Sequence, residues 1–163
     1  MKKVTGLVLF ALMMVLATGA IDSSVQLVIL GNVTSYTAIS MPEPESFWIM
    51  DAEGRIIPSK KIGDPIVVAN WRSWKIKLES LYRSDERTGR LKLDGAETYI
   101  PYSFALKDGD TILATSFGVP GPSMARTTSQ GKTLSLYFYF TDDGTRWPAG
   151  TYRDTLVFSL IAD

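Results

Sequence analysis

The chain has 163 residues, 45% of them hydrophobic and 21% charged, the balance of one ordinary globular domain. Its 17 basic residues are matched by 17 acidic ones, which argues against nucleic acid or anionic lipid as the main partner, since both demand a basic face. Neither His nor Cys occurs, which excludes the Ser-His-Asp and Cys-His arrangements, thiolate chemistry, disulfides and structural zinc.

The chain begins MKKVTGLVLFALMMVLATGA. Two lysines lead into a short apolar run, and small residues at Thr18 and Ala20 suit a signal peptidase. This reads as a secretory signal peptide over residues 1–20, too short for a spanning helix, with a retained N-terminal anchor as the rival reading. Cleavage after Ala20 leaves one domain, residues 21–163, with 15 basic and 17 acidic residues and a net charge of −2. A Cys-linked lipid anchor is excluded. No second apolar stretch is long enough to span a membrane, so no stable span is expected once the signal is removed. The lysine-led signal reads as bacterial, which gives a periplasmic, secreted or cell-surface location, and makes the Asn32-Val33-Thr34 sequon a chance match.

Past the signal, strand patterns recur between Gly, Pro, Asp and Asn clusters, with no helical period. SVQLVILG (Ser24–Gly31) is apolar on both faces, and TSYTAISM (Thr34–Met41) follows and stops at Pro42-Glu43-Pro44. SFWIMD leads to a turn at Ala52-Glu53-Gly54, then RIIP and DPIVVANW. SWKIKLESLY alternates through Trp74, Ile76, Leu78 and Ser80, which predicts one buried and one wet face. Arg83–Arg90 is a charged loop. TYIPYSFAL and TILATSF flank Lys107-Asp108-Gly109-Asp110, a hairpin signal, and TLSLYFYFT puts Leu134, Leu136, Phe138 and Phe140 on one face. After DDGTRWPAG the chain closes on GTYRDTLVFSLIAD, read as a single strand from Tyr152 with Leu156, Phe158 and Leu160 on one face. Eight or nine short strands without helices predict an all-β antiparallel sandwich, with a closed barrel as the alternative.

With His and Cys absent, only carboxylate chemistry remains, and the spacing of Glu43, Glu45, Asp51, Glu79 and Glu97 singles out no acid–nucleophile pair. No enzyme activity, catalytic residue, metal or cofactor is therefore expected. Asp108-Gly109-Asp110 and Asp142-Asp143-Gly144 lack the spaced oxygen ligands of a calcium loop and read as turns. Trp74 belongs to a core face, whereas Trp71 and Trp147 flank turns and are candidates for an exposed sugar-stacking surface. A secreted carbohydrate-binding module is the alternative function that these two residues support.

The closing strand carries the most specific signal. Gly150 permits a tight approach from Pro148-Ala149, the Tyr152 ring covers a sandwich end while its hydroxyl seeks a backbone partner, and Asp154 is suited to turn amides or a basic neighbour. So long and apolar a strand must be central, or paired with another strand of its own chain or of a neighbour. PAGTYRDTLVFSL (Pro148–Leu160) resembles the C-terminal signature of the spore coat protein U and pilin-like domains, in which Ala-Gly-x-Tyr-x-Asp opens the last strand. VANWRSWKIKLES, YIPYSFAL and SSVQLVILGNV are similar to other strands of that group. The chain departs from many such pilins in having no Cys pair and a long insertion over Glu43–Asp64.

The resemblance implies an immunoglobulin-like sandwich with Greek-key connections, exported as a structural or adhesive subunit of the cell envelope, such as a fimbrial subunit. Its implied partners are other subunits or copies of itself, with a periplasmic chaperone. In chaperone–usher assembly one subunit's N-terminal strand completes the next subunit's sheet, and Val25, Leu27 and Ile29 would be the inserting row here. The competing reading makes Ser24–Gly31 an ordinary first strand of the same domain, leaving the domain complete in itself.

Overall fold

The computed structural model describes residues 36–41, 47–70, 72–141 and 146–162. The expected signal peptide and the apolar run Ser24–Gly31, including Val25, Leu27 and Ile29, lie outside the described residues. Among the described residues the protein is all-β, and no helix is long and apolar enough to cross a membrane.

The strands, in chain order, are β1 (Thr37–Ser40), β2 (Ser59–Gly63), β3 (Ile66–Ala69), β4 (Trp74–Ser80), β5 (Gly89–Leu93), β6 (Tyr99–Asp108), β7 (Thr111–Ala114), β8 (Lys132–Thr133), β9 (Ser135–Tyr139), β10 (Tyr152–Arg153) and β11 (Leu156–Ala162). All pairings are antiparallel. β2 pairs with β9 while its continuation β3 pairs with β8, and the Leu134 amide donates to the Pro65 carbonyl across the junction at 2.8 Å. The break follows from Pro65, which has no amide to offer a ladder. The broad layer runs β10-β5-β6-β9-β2, with β7 on β6, and β1-β3-β8 form a separate three-stranded ladder.

The second layer is narrow. β4 pairs with β11 along one edge, in register from Leu156↔Ser80 to Ala162↔Trp74. Its other edge takes an irregular segment, with Gly118 and Gly121 amides donating to the Leu78 and Ile76 carbonyls and Trp74 and Met124 exchanging backbone bonds. The alternation read from SWKIKLESLY holds throughout: Trp74, Ile76 and Leu78 are each 1% exposed, and Ser80 also faces inward. Leu134, Leu136, Phe138 and Phe140 are likewise buried together.

Aromatic rings fill the space between the layers. Tyr102 stacks on Phe138 at 4.0 Å between centroids and meets Phe117 edge-on at 6.1 Å, and Phe117 lies 4.4 Å from Phe104. Such pairs add about 1 kcal/mol each beyond the burial of their area. The two turns expected at Gly54 and Gly109 form with φ of 77° and 56°, values that favour glycine. At the first, Asp51 Oδ1 accepts from the Glu53 and Arg55 amides, so the side chain builds the turn.

Three expectations change. The charged stretch Arg83–Arg90 is a loop only as far as Thr88, because Gly89 and Arg90 begin β5, which pairs with both β6 and β10. SKKIG likewise forms β2, although no part of it alternates in hydrophobicity. The closing segment is two strands rather than one: it breaks at Asp154-Thr155, with β10 in the broad layer on β5 and β11 in the narrow layer on β4. β11 is not a central strand among the described residues, since β4 is its one pairing partner there.

Gly89 supports the ring cluster by its lack of a side chain. A Cβ there would stand 2.4 Å from the Tyr102 ring carbon that bears the hydroxyl. Gly89→Ala should therefore lower stability by about 1–3 kcal/mol through overpacking, read as a lower urea midpoint with an unchanged slope.

Candidate functional site

The site begins with the Gly-x-Tyr-x-Asp stretch, whose three residues do different work. A Cβ on Gly150 would come 2.5 Å from the Leu93 side chain, so this glycine serves close approach to β5. The Tyr152 hydroxyl donates to the Pro148 carbonyl at 2.8 Å, the backbone partner expected of it. Burial raises that phenol's pKa.

Asp154 sits where the chain passes from one layer to the other. Its Oδ2 accepts from the Tyr102 hydroxyl of β6 at 2.5 Å and from the Ser80 hydroxyl of β4 at 2.6 Å. Its Oδ1 accepts the Thr155 amide at 2.7 Å and the Tyr82 amide at 3.4 Å. One carboxylate therefore joins the two layers through a residue of each and closes the turn between β10 and β11. The expectation that Asp154 would serve turn amides holds; its basic neighbour Arg153 pairs instead with Asp94, Nε to Oδ2, at 3.0 Å.

From this crossover an open cleft of about 1430 Å³ runs along the start of β11. Its floor is the inner face of the broad layer, with Ile62, Leu91, Ile100, Leu136 and Phe138, and its walls are Phe47–Ala52 on one side and Trp147–Thr155 with Leu156 and Phe158 on the other. The cleft explains a contrast in burial. Leu78 and Ile76 on β4 are buried, yet Phe158 and Leu160, directly across from them on β11, are only half-buried with Leu156. Among the described residues the inward apolar row of β11 is only partly covered. Its outward row adds Val157, 50% exposed.

Among the candidates from sequence, Trp74 is core, with its indole nitrogen donating to the Ala125 carbonyl at 2.8 Å. Trp147 is half-buried and packs against the core as part of the cleft wall, which differs from the exposed position expected of it. Trp71 lies outside the described residues, so no paired tryptophan platform is described. Trp48, on the opposite wall, is 83% exposed and was not distinguished in the sequence, because nothing in SFWIMD separates a wall residue from a core one.

The carboxylates are engaged locally and are not gathered. Asp51 is held below the usual carboxylate range first by the Arg55 amide, and Glu97 by the Lys92 ammonium. Glu79 pairs with Lys77 at 3.2 Å, and Asp108 with Lys132 at 2.6 Å. Glu43, Glu45, Asp142 and Asp143 lie outside the described residues, and among the described residues no acidic group of three or more could hold a metal ion. Comparison with known proteins finds no matching family model and no matching curated protein.

Removing the Asp154 carboxylate strands a buried phenol and a buried hydroxyl at once. Asp154→Ala should cost about 2–4 kcal/mol of stability in chemical denaturation, given that a hydrogen bond to a charged group is worth about 1.5–3 kcal/mol. Burial, and then the Asp154 carboxylate, hold the Tyr102 phenol far above its ordinary value of 10.0. The folded state thus keeps this proton when the unfolded chain releases it, so the contribution is complete below about pH 10 and is lost as the pH rises further. The melting temperature should fall more steeply above pH 10 in the native protein than in Tyr102→Phe.

Proposed function

We propose that the protein is an exported, non-enzymatic structural or adhesive subunit of the bacterial cell envelope, whose sandwich is completed by an extended strand added along β11. The observation that carries this reading is the apolar cleft beside a strand that, among the described residues, is paired on one edge. An extended segment suits such a place, because main-chain bonds extend the ladder of β11 while alternate apolar side chains fill the cleft. The secretory leader expected over residues 1–20 and the Gly-x-Tyr-x-Asp likeness to pilin-like and spore coat protein U domains support the same reading from the sequence. An immunoglobulin-like, Greek-key arrangement belongs to this proposal, as do partner subunits and a periplasmic chaperone.

The strand with matching character is Ser24–Gly31, in which Val25, Leu27 and Ile29 form one row and no residue is charged. In strand exchange the row of one copy would fill the cleft of the next, and Leu27→Asp should prevent it. That variant should melt at least about 10 °C lower, bind a hydrophobic dye, and take up a synthetic SVQLVILG peptide that raises its melting temperature again. Adding Phe158→Asp should abolish the peptide's effect. A Leu27→Asp protein that melts like the native one and ignores the peptide would overturn the strand-completion reading.

A further inference from the structure

We infer that the outer face of the broad layer binds a polysaccharide chain that bears carboxylates, held by cations and tyrosines around β5 and β6. The inference does not depend on strand completion, because this face is the reverse of the cleft floor. Leu91 and Ile100, paired across β5 and β6, line the cleft. Arg90, Lys92 and Tyr99 alternate with them and so stand on the opposite side.

Two cations are direct neighbours on that side. Arg153 of β10 lies across from Lys92 of β5, and Arg90 follows two residues along on the same face. Like charges directly opposite in a ladder repel, so this pairing is unfavourable until an anion joins it. Two nearby carboxylates serve: Lys92 Nζ meets Glu97 Oε1 at 2.5 Å, and Arg153 Nε meets Asp94 Oδ2 at 3.0 Å. The side chains of Glu97 and Asp94 are 77% and 51% exposed, and ion pairs so exposed contribute little. A ligand carboxylate can therefore replace either acid at small cost. Beside these pairs lies a recess of about 270 Å³, lined by Tyr82, Lys92, Asp94, Gly95, Arg153 and Thr155.

The rings supply the second half of the site. Tyr82 and Tyr99 meet edge-on at 6.2 Å, with the Arg90 guanidinium 4.5 Å from the Tyr99 centroid. Lys92 Nζ stands 5.7 Å from Tyr82 and 5.8 Å from Tyr99. Cations at these distances fix the rings, which offer apolar surface to the C–H side of a sugar while the phenols and acids meet its hydroxyls. A second group of the same kind continues the face. Lys61 of β2, Tyr137 of β9 and Ala105 of β6 form one cross-strand row, and Lys107 Nζ lies 4.9 Å from the Tyr137 ring. From Lys92 to Lys61 the face crosses from β5 through β6 and β9 to β2 and runs along β6 from Tyr99 to Ala105. That diagonal is about 25 Å at ordinary strand spacing and rise, a length for a chain and not for one sugar.

The acids decide the class of chain. Asp64, Asp94 and Glu97 are interleaved with Lys61, Arg153 and Lys92. A phosphodiester backbone has no donor for those acids, whereas sugar hydroxyls donate to them. This favours an acidic polysaccharide over single-stranded nucleic acid, which binds to similar mixtures of rings and cations.

Calorimetric titration of the full chain with alginate and polygalacturonate, two polymers of carboxylated sugars, and with neutral dextran tests the inference. Both polyuronates should bind, and dextran should not. Lys92→Gln combined with Arg153→Gln should weaken that binding at least about tenfold, and so should Tyr99→Leu, with thermal melting showing that each variant is folded. Tyr82→Leu repeats the ring test should Tyr99→Leu fail to fold. Lys77→Gln combined with Arg126→Gln removes the same charge from β4 and the segment beside it, and should leave binding unchanged. Native affinity in the Lys92/Arg153 variant, or an equal loss in the Lys77/Arg126 variant, would overturn the site. Tighter binding of poly(dT) than of either polyuronate would overturn the polysaccharide in favour of single-stranded nucleic acid. No binding of either polyuronate would overturn the inference outright, and leaves the peptide experiment on the cleft unaffected.

Discussion

The carboxylate of Asp154 holds the two layers of this protein together at the point where the chain passes between them. Tyr102 reaches it from the broad layer and Ser80 from the narrow one, while the Thr155 amide closes the turn around it. Both hydroxyls come from strands whose remaining inward residues are apolar, so this is a polar knot inside an aromatic core. A buried network of this kind is costly when any partner is missing and specifying when all are present. Among the described residues every buried side-chain nitrogen and oxygen has a partner. The stacked ring of Tyr102 on Phe138 and the bare Cα of Gly89 behind it depend on the phenol pointing at that one acceptor.

That crossover has an architectural consequence. Because β10 stays on β5 and β11 departs to β4, the end of the chain widens one layer and then, among the described residues, borders the other. Among the described residues the narrow layer has β11, β4 and the irregular segment through Met124, whereas the broad layer extends from β2 to β10. The mismatch in width leaves the floor residues Leu136, Phe138 and Ile100 facing a cleft, and leaves Leu156, Phe158 and Leu160 half-buried. The proposed strand acceptor is thus a by-product of where the carboxylate sends the chain.

Much of the fold was legible in the residues. The alternation of Trp74, Ile76, Leu78 and Ser80 identified a strand with one buried face, and Leu134 to Phe140 did the same. Asp-Gly at 108–109 identified a hairpin with its positive φ. Strands without such patterns were missed. SKKIG lies at the border of the broad layer, where exposed polar residues are tolerated and periodicity is weak. The cleft was illegible for a related reason. Phe158 is as hydrophobic as Phe138, and nothing in either tells which will be covered and which will line an opening.

The sequence by itself determined that this chain builds an all-β protein without His or Cys chemistry, because composition and alternation act locally on each strand. It also marked Gly150, Tyr152 and Asp154 as a unit, since glycine, a phenol and a carboxylate at that spacing have turn-building roles wherever they occur. Only the tertiary structure decided that the unit divides one apparent strand between two layers. That decision needs Ser80 and Tyr102, 74 and 52 residues away in the chain, to meet at one carboxylate. Contacts over such separations are set by the packing of whole layers, and no local pattern of residues records them.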